Sequence, residues 1–315
     1  MLIKSVCIIG GSGFVGHRVA NRLSASGFNI RIPTRNRKKH KQDLILLPGL
    51  ELIQADVHNE THLNALFEGC DAVINLAGIL NERRGTNNGF RQVHVELPAK
   101  IINACRKNGI KRLLHMSALN ADINGPSQYL RSKGEAERLL NSATDLLVTS
   151  YRPSVIFGPG DSFFNRFASL LKISPLLPLA CPGSRFAPVF VGDVAEAMAL
   201  TLVHPDPAFK QLHLCGPEVF TLQQLVVYTV RCLGIKRIIV PLPDVLSRLQ
   251  ASVMDTGGFL FDRCGIEQPF STDNYMSLQV DSVASTDDLT GLGILPTPVN
   301  TIVPHYLARA GYKSE

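Results

Sequence analysis

No stretch of this 315-residue chain reaches about 18 uninterrupted apolar residues, so no membrane-spanning helix is expected. The N-terminus does not read as a secretory leader either. Val6 to Ile9 is apolar but short, and it runs straight into Gly10 and Gly11. The expected location is therefore cytoplasmic. The seven cysteines, Cys7 through Cys264, include no Cys-x-x-Cys pair. An odd count without short spacings argues against a disulfide frame and against a zinc site. No metal is expected, and the thiols read as small buried apolar groups in a reducing compartment. Charged residues are scarce at 18%, against 45% hydrophobic ones, which excludes a disordered or fibrous chain. There is no internal repeat and no low-complexity tract.

The charge that is present has one sign in excess, a formal net +6. Such a balance can serve nucleic acid, an anionic membrane surface or a phosphorylated ligand. Position decides more than the total. Arg31, Arg35, Arg37, Lys38, Lys39 and Lys41 crowd into one short stretch that holds no aromatic residue. Nucleic-acid surfaces spread cations over a face and interleave aromatic rings, so no nucleic-acid partner is expected.

The first half alternates strand-like and helix-like segments. Strands are expected over 4–9, 29–33, 52–54, 72–76, 112–116 and 146–155, and helices over 14–26, 58–67, 90–107 and 128–140. Strands separated by helices with short links imply an α/β fold, a doubly wound parallel sheet of the Rossmann kind. The rhythm breaks after Gly158-Pro159-Gly160. Pro175, Pro178 and Pro182 interrupt an apolar stretch from Asn165 to Pro188, which reads as a loop or lid rather than one helix. A helix over 193–203, a strand over 211–215 and a helix over 221–233 follow. The expected division is a dinucleotide-binding core over 1–160, completed by about 186–216. A smaller C-terminal α/β substrate or lid region would take 161–185 and 217–315. Phe163, Phe164 and Phe167, with Leu176, Leu177 and Leu179, read first as ordinary core and second as the walls of an apolar pocket.

The sharpest motif is Gly10-Gly11-Ser12-Gly13-Phe14-Val15-Gly16, between a strand and a helix. Gly10 permits a tight turn, Gly13 lets a pyrophosphate approach the backbone, and Gly16 lets the helix pack closely on the strand. The free N–H groups and the positive end of the helix dipole would hold the phosphates, with Ser12, Phe14 and Val15 in the same turn. NAD-binding units usually place a carboxylate at the end of the second strand. Ile32-Pro33-Thr34-Arg35-Asn36-Arg37 has none there. Arg35 can grip an extra 2′-phosphate with its planar fork while Arg37 adds positive potential, so NADP(H) is preferred over NAD(H).

Further segments carry a family resemblance that spans most of the chain. They are Asp56-Val57, Asn75-Leu76-Ala77-Gly78, Tyr129-Leu130-Arg131-Ser132-Lys133, Tyr151-Arg152-Pro153-Ser154-Val155 and Val189-Phe190-Val191-Gly192-Asp193. Together with the glycine turn they resemble the extended and atypical short-chain dehydrogenase/reductases, of the NAD-dependent epimerase/dehydratase kind. Ser117 to Asp122 followed by Tyr129 and Ser132-Lys133-Gly134-Glu135 is most similar to one branch. It comprises the dehydrogenase-like accessory subunit of respiratory complex I and its bacterial relatives. The resemblance implies that Asp56 and Val57 meet the adenine. It also implies that Ala77, Gly78, Arg152, Pro153 and Val155 line the cofactor, and that Ser117 joins Tyr129 and Lys133 in catalysis. His94 stands where that family often has Asn. His94 and His115 read as ordinary structural histidines.

Tyr129 and Lys133 are four apart on an expected helix and so share a face. A phenol is a poor base at neutral pH, and a nearby ammonium would favour its ionised form. Tyr129 could then exchange a proton with a substrate oxygen while hydride moves at the nicotinamide. The expected function is an NADP(H)-binding oxidoreductase or epimerase/dehydratase. The alternative is a non-catalytic NADPH-binding structural or regulatory protein linked to respiratory or quinone pathways. A small or lipid-like substrate, a protein complex and peripheral attachment at the inner membrane are the partners these readings allow.

Overall fold

Short apolar runs that stop on glycine can be buried on both sides only if helices cover both faces of the sheet they form. The computed structural model shows this arrangement; it describes residues 3–38, 46–82, 89–204, 206, 210–263 and 270–308. Lys39, Lys41 and Cys264 lie outside the described residues. The main sheet comprises β1 (Ser5–Ile9), β2 (Asn29–Thr34), β3 (Leu50–Gln54), β4 (Ala72–Asn75), β5 (Arg112–Met116), β6 (Leu147–Pro153) and β11 (Gln211–Leu214). Its order is β11-β6-β5-β4-β1-β2-β3 and every pairing is parallel.

Successive residues of β1 supply opposite cores. Val6 and Ile8 pack with Val19 and Leu23 of α1 (Phe14–Ala25) and with Val194 and Met198 of α6 (Val191–Val203). Cys7 and Ile9 pack with Leu63 and Phe67 of α2 (Glu60–Phe67) and with Ile101 and Cys105 of α3 (Leu97–Lys107). This two-residue alternation makes the sheet a wall between two apolar layers.

The helix expected over 90–107 is interrupted. Arg91–Glu96 forms a π-helical segment, and α3 begins only at Leu97 with a proline in its first turn. Pro98 has no N–H to give the carbonyl of His94, and its ring crowds that carbonyl. The turn widens instead, with the Leu97 N–H reaching the Gln92 carbonyl. His94 therefore sits where the helix is locally unwound.

The segment read as a loop or lid is ordered differently. Asp161 accepts from the Phe164 and Asn165 N–H groups and starts α5 (Phe163–Ile173). The three prolines all fall after that helix. Leu176–Leu179 forms β8, paired in parallel with β13 (Ile238–Pro241). Phe164, Leu171, Leu177 and Leu179 join a third core with α7 (Leu222–Leu233) and α11 (Val299–Leu307). Two short ribbons, β7 (Ile156–Phe157) with β10 (Val189–Phe190) and β9 (Arg185–Phe186) with β12 (Phe220–Thr221), join this region to the sheet. The remaining helices are α4 (Gln128–Ser142), α8 (Asp244–Arg263), α9 (Thr272–Ser277) and α10 (Asp288–Gly291).

Candidate functional site

The glycine turn is fixed by space. Gly10 has φ +77°, and a Cβ there would lie 2.9 Å from the Ala77 nitrogen at the end of β4. A Cβ on Gly16 would collide with the Gly10 carbonyl and come within 2.5 Å of the Gly11 Cα. Gly13 is exposed and forms the N-cap of α1 with no side-chain hydrogen bond. Ser12, Phe14 and Val15 are half-buried around it. An uncapped helix start, approached by exposed backbone and lacking side chains in the way, fits a pyrophosphate.

Along the strand ends, Thr34 is buried and Arg35, Arg37 and Lys38 stand exposed just past β2. Arg31, counted with them in the sequence, does a different job. It bonds Glu51 at 3.3 Å and the carbonyls of Leu66 and Glu68 at 2.8 and 2.9 Å, bracing β2 against β3 and the end of α2. Asp56 is exposed after β3, and one of its oxygens accepts from the His58 N–H at 3.0 Å. Val57 and Ala77 lie at the margin of the core on that side, and Gly78 is exposed past β4.

The titratable cluster is built where β4 and β5 end against α4. Asn75 and His115 are register partners. The Asn75 Oδ1 accepts from the Ala77 N–H at 3.2 Å, so its amide nitrogen donates to His115 Nδ1 at 3.1 Å. That places the His115 proton on Nε2, which is buried without a partner among the described residues. His94 Nε2 accepts from the Ile79 N–H at 3.1 Å, and its Nδ1 meets Ser132 Oγ at 2.8 Å. Ser132 in turn donates to the Tyr129 carbonyl at 2.8 Å. The chain of donors requires a neutral His94 protonated on Nδ1. Burial and the Lys133 ammonium hold His94 down at about 2 and His115 at about 3.

Tyr129 and Lys133 enter from α4, whose N-terminus is held from afar. Ser127 Oγ accepts from the Leu130 N–H, and Asp273 of α9 accepts from the Gln128 and Tyr129 N–H groups at 2.6 and 3.1 Å. The Tyr129 ring meets His94 edge-on with centroids 5.6 Å apart. Lys133 is buried, and its Nζ donates to the Met116 carbonyl at 2.9 Å, one residue before Ser117. Burial pushes Lys133 down to about 8. The Ser117 Oγ is buried with no partner among the described residues. Burial first and the Asp273 carboxylate second push the Tyr129 phenol up to about 12, because that carboxylate opposes a second negative charge.

Arg152, expected along the cofactor, has protein partners of its own. Its guanidinium grips Glu137 of α4, with Nε to Oε1 at 2.8 Å and Nη2 to Oε2, and a further bond to the Ala121 carbonyl at 3.3 Å. Glu137 is buried and also accepts from Gln211 at 3.1 Å. The buried carboxylate takes the fork, so Arg152 ties α4 to the sheet. Pro153 is buried and accepts from the Leu119 N–H at 3.1 Å, and Val155 accepts from the Val189 N–H at 3.0 Å. They fix the loop after β5 and the first ribbon by backbone bonds. The sequence places Asn75 and Ser132 in motif segments and reads His94 as a structural histidine, with no site role for any of the three. Pro98, four residues after His94, was the available signal for that histidine; Asp273, remote in the chain, had none.

Residues 6–214 match the model of the NAD dependent epimerase/dehydratase family. The chain is 30% identical over 299 residues to the mitochondrial NADH dehydrogenase [ubiquinone] 1 alpha subcomplex subunit 9 of Mus musculus, covering 93% of this chain and 76% of that protein. It is 27% identical over 241 residues to a ceramide reductase of Caulobacter vibrioides, covering 76% and 74%. Among solved structures, MoeE5 in complex with UDP-glucose and NAD superposes with a TM-score of 0.71 at 18% identity, over 97% of this chain and 99% of that one.

Proposed function

Because the chain belongs to the NAD-dependent epimerase/dehydratase family and is an NAD(P)-binding protein of that family, we propose that it is an NADP(H)-dependent oxidoreductase that reduces a carbonyl group beside Ser117, Tyr129 and Lys133. One observation carries this reading. The Ser117 hydroxyl is buried and has no partner among the described residues, next to Met116, whose carbonyl holds the Lys133 ammonium. A buried polar atom without a partner costs free energy unless a ligand satisfies it. A carbonyl oxygen is such a ligand.

The nicotinamide, when bound, supplies the hydride. The protein's residues do the rest. The α1 start would hold the diphosphate, with Gly10, Ser12, Gly13, Phe14, Val15 and Gly16 around it. Arg35 and Arg37 would hold the 2′-phosphate, Asp56 and Val57 the adenine, and Ala77, Gly78, Pro153 and Val155 the walls. Ser117 would orient the substrate oxygen. Tyr129, kept protonated at neutral pH by its surroundings, would donate the proton that this oxygen needs as the carbonyl carbon accepts hydride. Lys133 would hold the ribose hydroxyls. Residues 1–160 with 186–216 would form the dinucleotide unit, and the remainder the substrate side. The named activity of the Caulobacter relative favours a lipid-like carbonyl substrate. A cytoplasmic protein able to sit peripherally on a membrane suits such a substrate, and among the described residues no helix is long and apolar enough to cross one.

Tyr129→Phe tests the reading. With long-chain ketones or quinones as probes, NADPH oxidation by the wild type should fall about a hundredfold or more in the variant, while calorimetric NADPH affinity is retained. Turnover unchanged by the substitution would remove Tyr129 from catalysis. The second reading, a non-catalytic NADPH-binding component of a protein complex, is favoured by the likeness to a subunit of NADH dehydrogenase. It predicts tight nucleotide binding and no oxidation with any probe.

A further inference from the structure

The outward side of the β8–β13 ribbon reverses the usual order of a surface strand. Side chains along a strand alternate, and the solvent side is ordinarily polar. Leu177 and Leu179 face the core, but the positions that face out are Leu176 and Pro178. They stand in register with Ile238 and Val240 of the neighbouring strand. Ile238 is 64% exposed, and Ile173, just before the ribbon, is 84% exposed.

Helix α8 continues the same pattern beside it. It is tied to the ribbon through Gln250 and the Pro178 carbonyl at 3.5 Å and through Ser247 and the Cys181 N–H at 3.3 Å. Its buried side is made of small residues, Ser247 and Ala251. Its large aliphatic side chains, Val245, Leu249 and Val253, recur at four-residue spacing on the exposed side, and Val245 is 77% exposed. Helix and ribbon together turn aliphatic side chains outward on adjacent elements, which exceeds the scattered single exposures of an ordinary surface.

We propose that this face docks on an anionic lipid bilayer. Two features choose lipid over protein. The exposed apolar groups named are Leu, Ile, Val and Pro, whereas protein-interface cores are enriched in aromatic residues, Met and Arg and depleted of Lys. The margin is cationic. Lys236 is exposed two residues before Ile238, and Arg248 is exposed next to Leu249 on the helix. Arg237 is braced by the carbonyls of Leu171 and Lys236. Aliphatic groups inserted at the acyl boundary with Lys and Arg at headgroup level are the arrangement of a peripheral membrane contact. Asp244, at the start of the helix, is engaged by the Tyr275 hydroxyl at 2.7 Å. The contact rests on the peripheral part of the proposed function. It is independent of nucleotide binding, because none of these residues belongs to the glycine turn or to the cluster around Tyr129.

Co-sedimentation of the full chain with vesicles tests it. Vesicles of phosphatidylcholine with about one third phosphatidylglycerol should retain the protein, and pure phosphatidylcholine should retain it at least about tenfold less well. L176E/I238E should weaken binding to the anionic vesicles at least about tenfold, with unchanged thermal midpoint and NADPH affinity. K236E/R248E should remove the preference for phosphatidylglycerol while keeping the fold. Wild-type protein left in the supernatant with anionic vesicles would overturn the proposal, as a face reserved for a protein partner predicts. So would equal binding by both variants. A concentration-dependent dimer in sedimentation velocity that L176E/I238E abolishes would assign the face to a second copy instead. NADPH calorimetry reports separately on the nucleotide site, so failure of one reading is distinguishable from failure of the other.

Discussion

At the scale of single residues, chemistry here is decided by which partner each side chain has already taken. Arg31 and Arg152 are spent on structure, the first on Glu51 and the carbonyls of Leu66 and Glu68, the second on buried Glu137. Arg35 is exposed past β2, where no acidic side chain replaces it in the sequence. Arg35→Ala should therefore lower NADPH affinity by about tenfold, the worth of one charge-assisted hydrogen bond to a phosphate, and leave NADH affinity nearly unchanged. Calorimetric titration of both nucleotides checks this, and an equal loss for both would remove Arg35 from 2′-phosphate recognition. The same separation was partly legible in advance. The missing carboxylate at the end of β2 could be read from residue types alone, but the fate of Arg152 could not, because Glu137 lies fifteen residues earlier in another element.

At the scale of elements, tight contacts between backbones set the geometry that side chains then use. The start of α1 reaches the end of β1 only because Gly16 has no Cβ to meet the Gly10 carbonyl and the Gly11 Cα. Both obstacles are backbone and cannot swing aside. Gly16→Ala should push the helix off the turn, cost about 1–3 kcal/mol of stability, and abolish nucleotide binding even where the fold survives. Chemical denaturation and NADPH calorimetry on the same variant measure the two effects. Retained nucleotide affinity would show that the turn does not depend on this contact. The π-helical widening ahead of Pro98 is the second such case. The expected helix over 90–107 is present, but the missing N–H opens one turn of it, and that turn presents His94 to Ile79 and Ser132.

At the scale of the whole molecule, burial of neutral histidines couples folding to pH. His94 and His115 are held at about 2 and about 3, against an ordinary value of 6.5. Below about 6.5 the unfolded chain binds protons that the folded chain refuses, so stability falls with falling pH from 6.5 toward 3. Each histidine contributes a slope of about 1.4 kcal/mol per pH unit in that window. His94→Asn removes one of the two groups and should about halve the slope that they contribute. Denaturant midpoints measured between these pH values check it, and an unchanged slope would mean that His94 is protonated in the folded protein. The C-terminal part contributes to the site at this scale as well, since Asp273 and Ser277 hold the start of α4.

By itself the sequence determined the parallel α/β fold, the place of the glycine turn and the residue types past β2. Each depends on local periodicity or on short spacing, which the chain carries wherever it is read. Only the tertiary structure decided the rest. It set the tautomer of His94, the Ser117 hydroxyl without a partner among the described residues, the upward push on the Tyr129 phenol and the commitment of Arg152 to Glu137. It also made a helix and a strand of a segment whose prolines read as a loop, with Leu177 turned in and Leu176 turned out. These are properties of distance between residues far apart in the chain. Burial and hydrogen-bond satisfaction depend on what the folded chain brings within a few ångströms, and no local pattern encodes that.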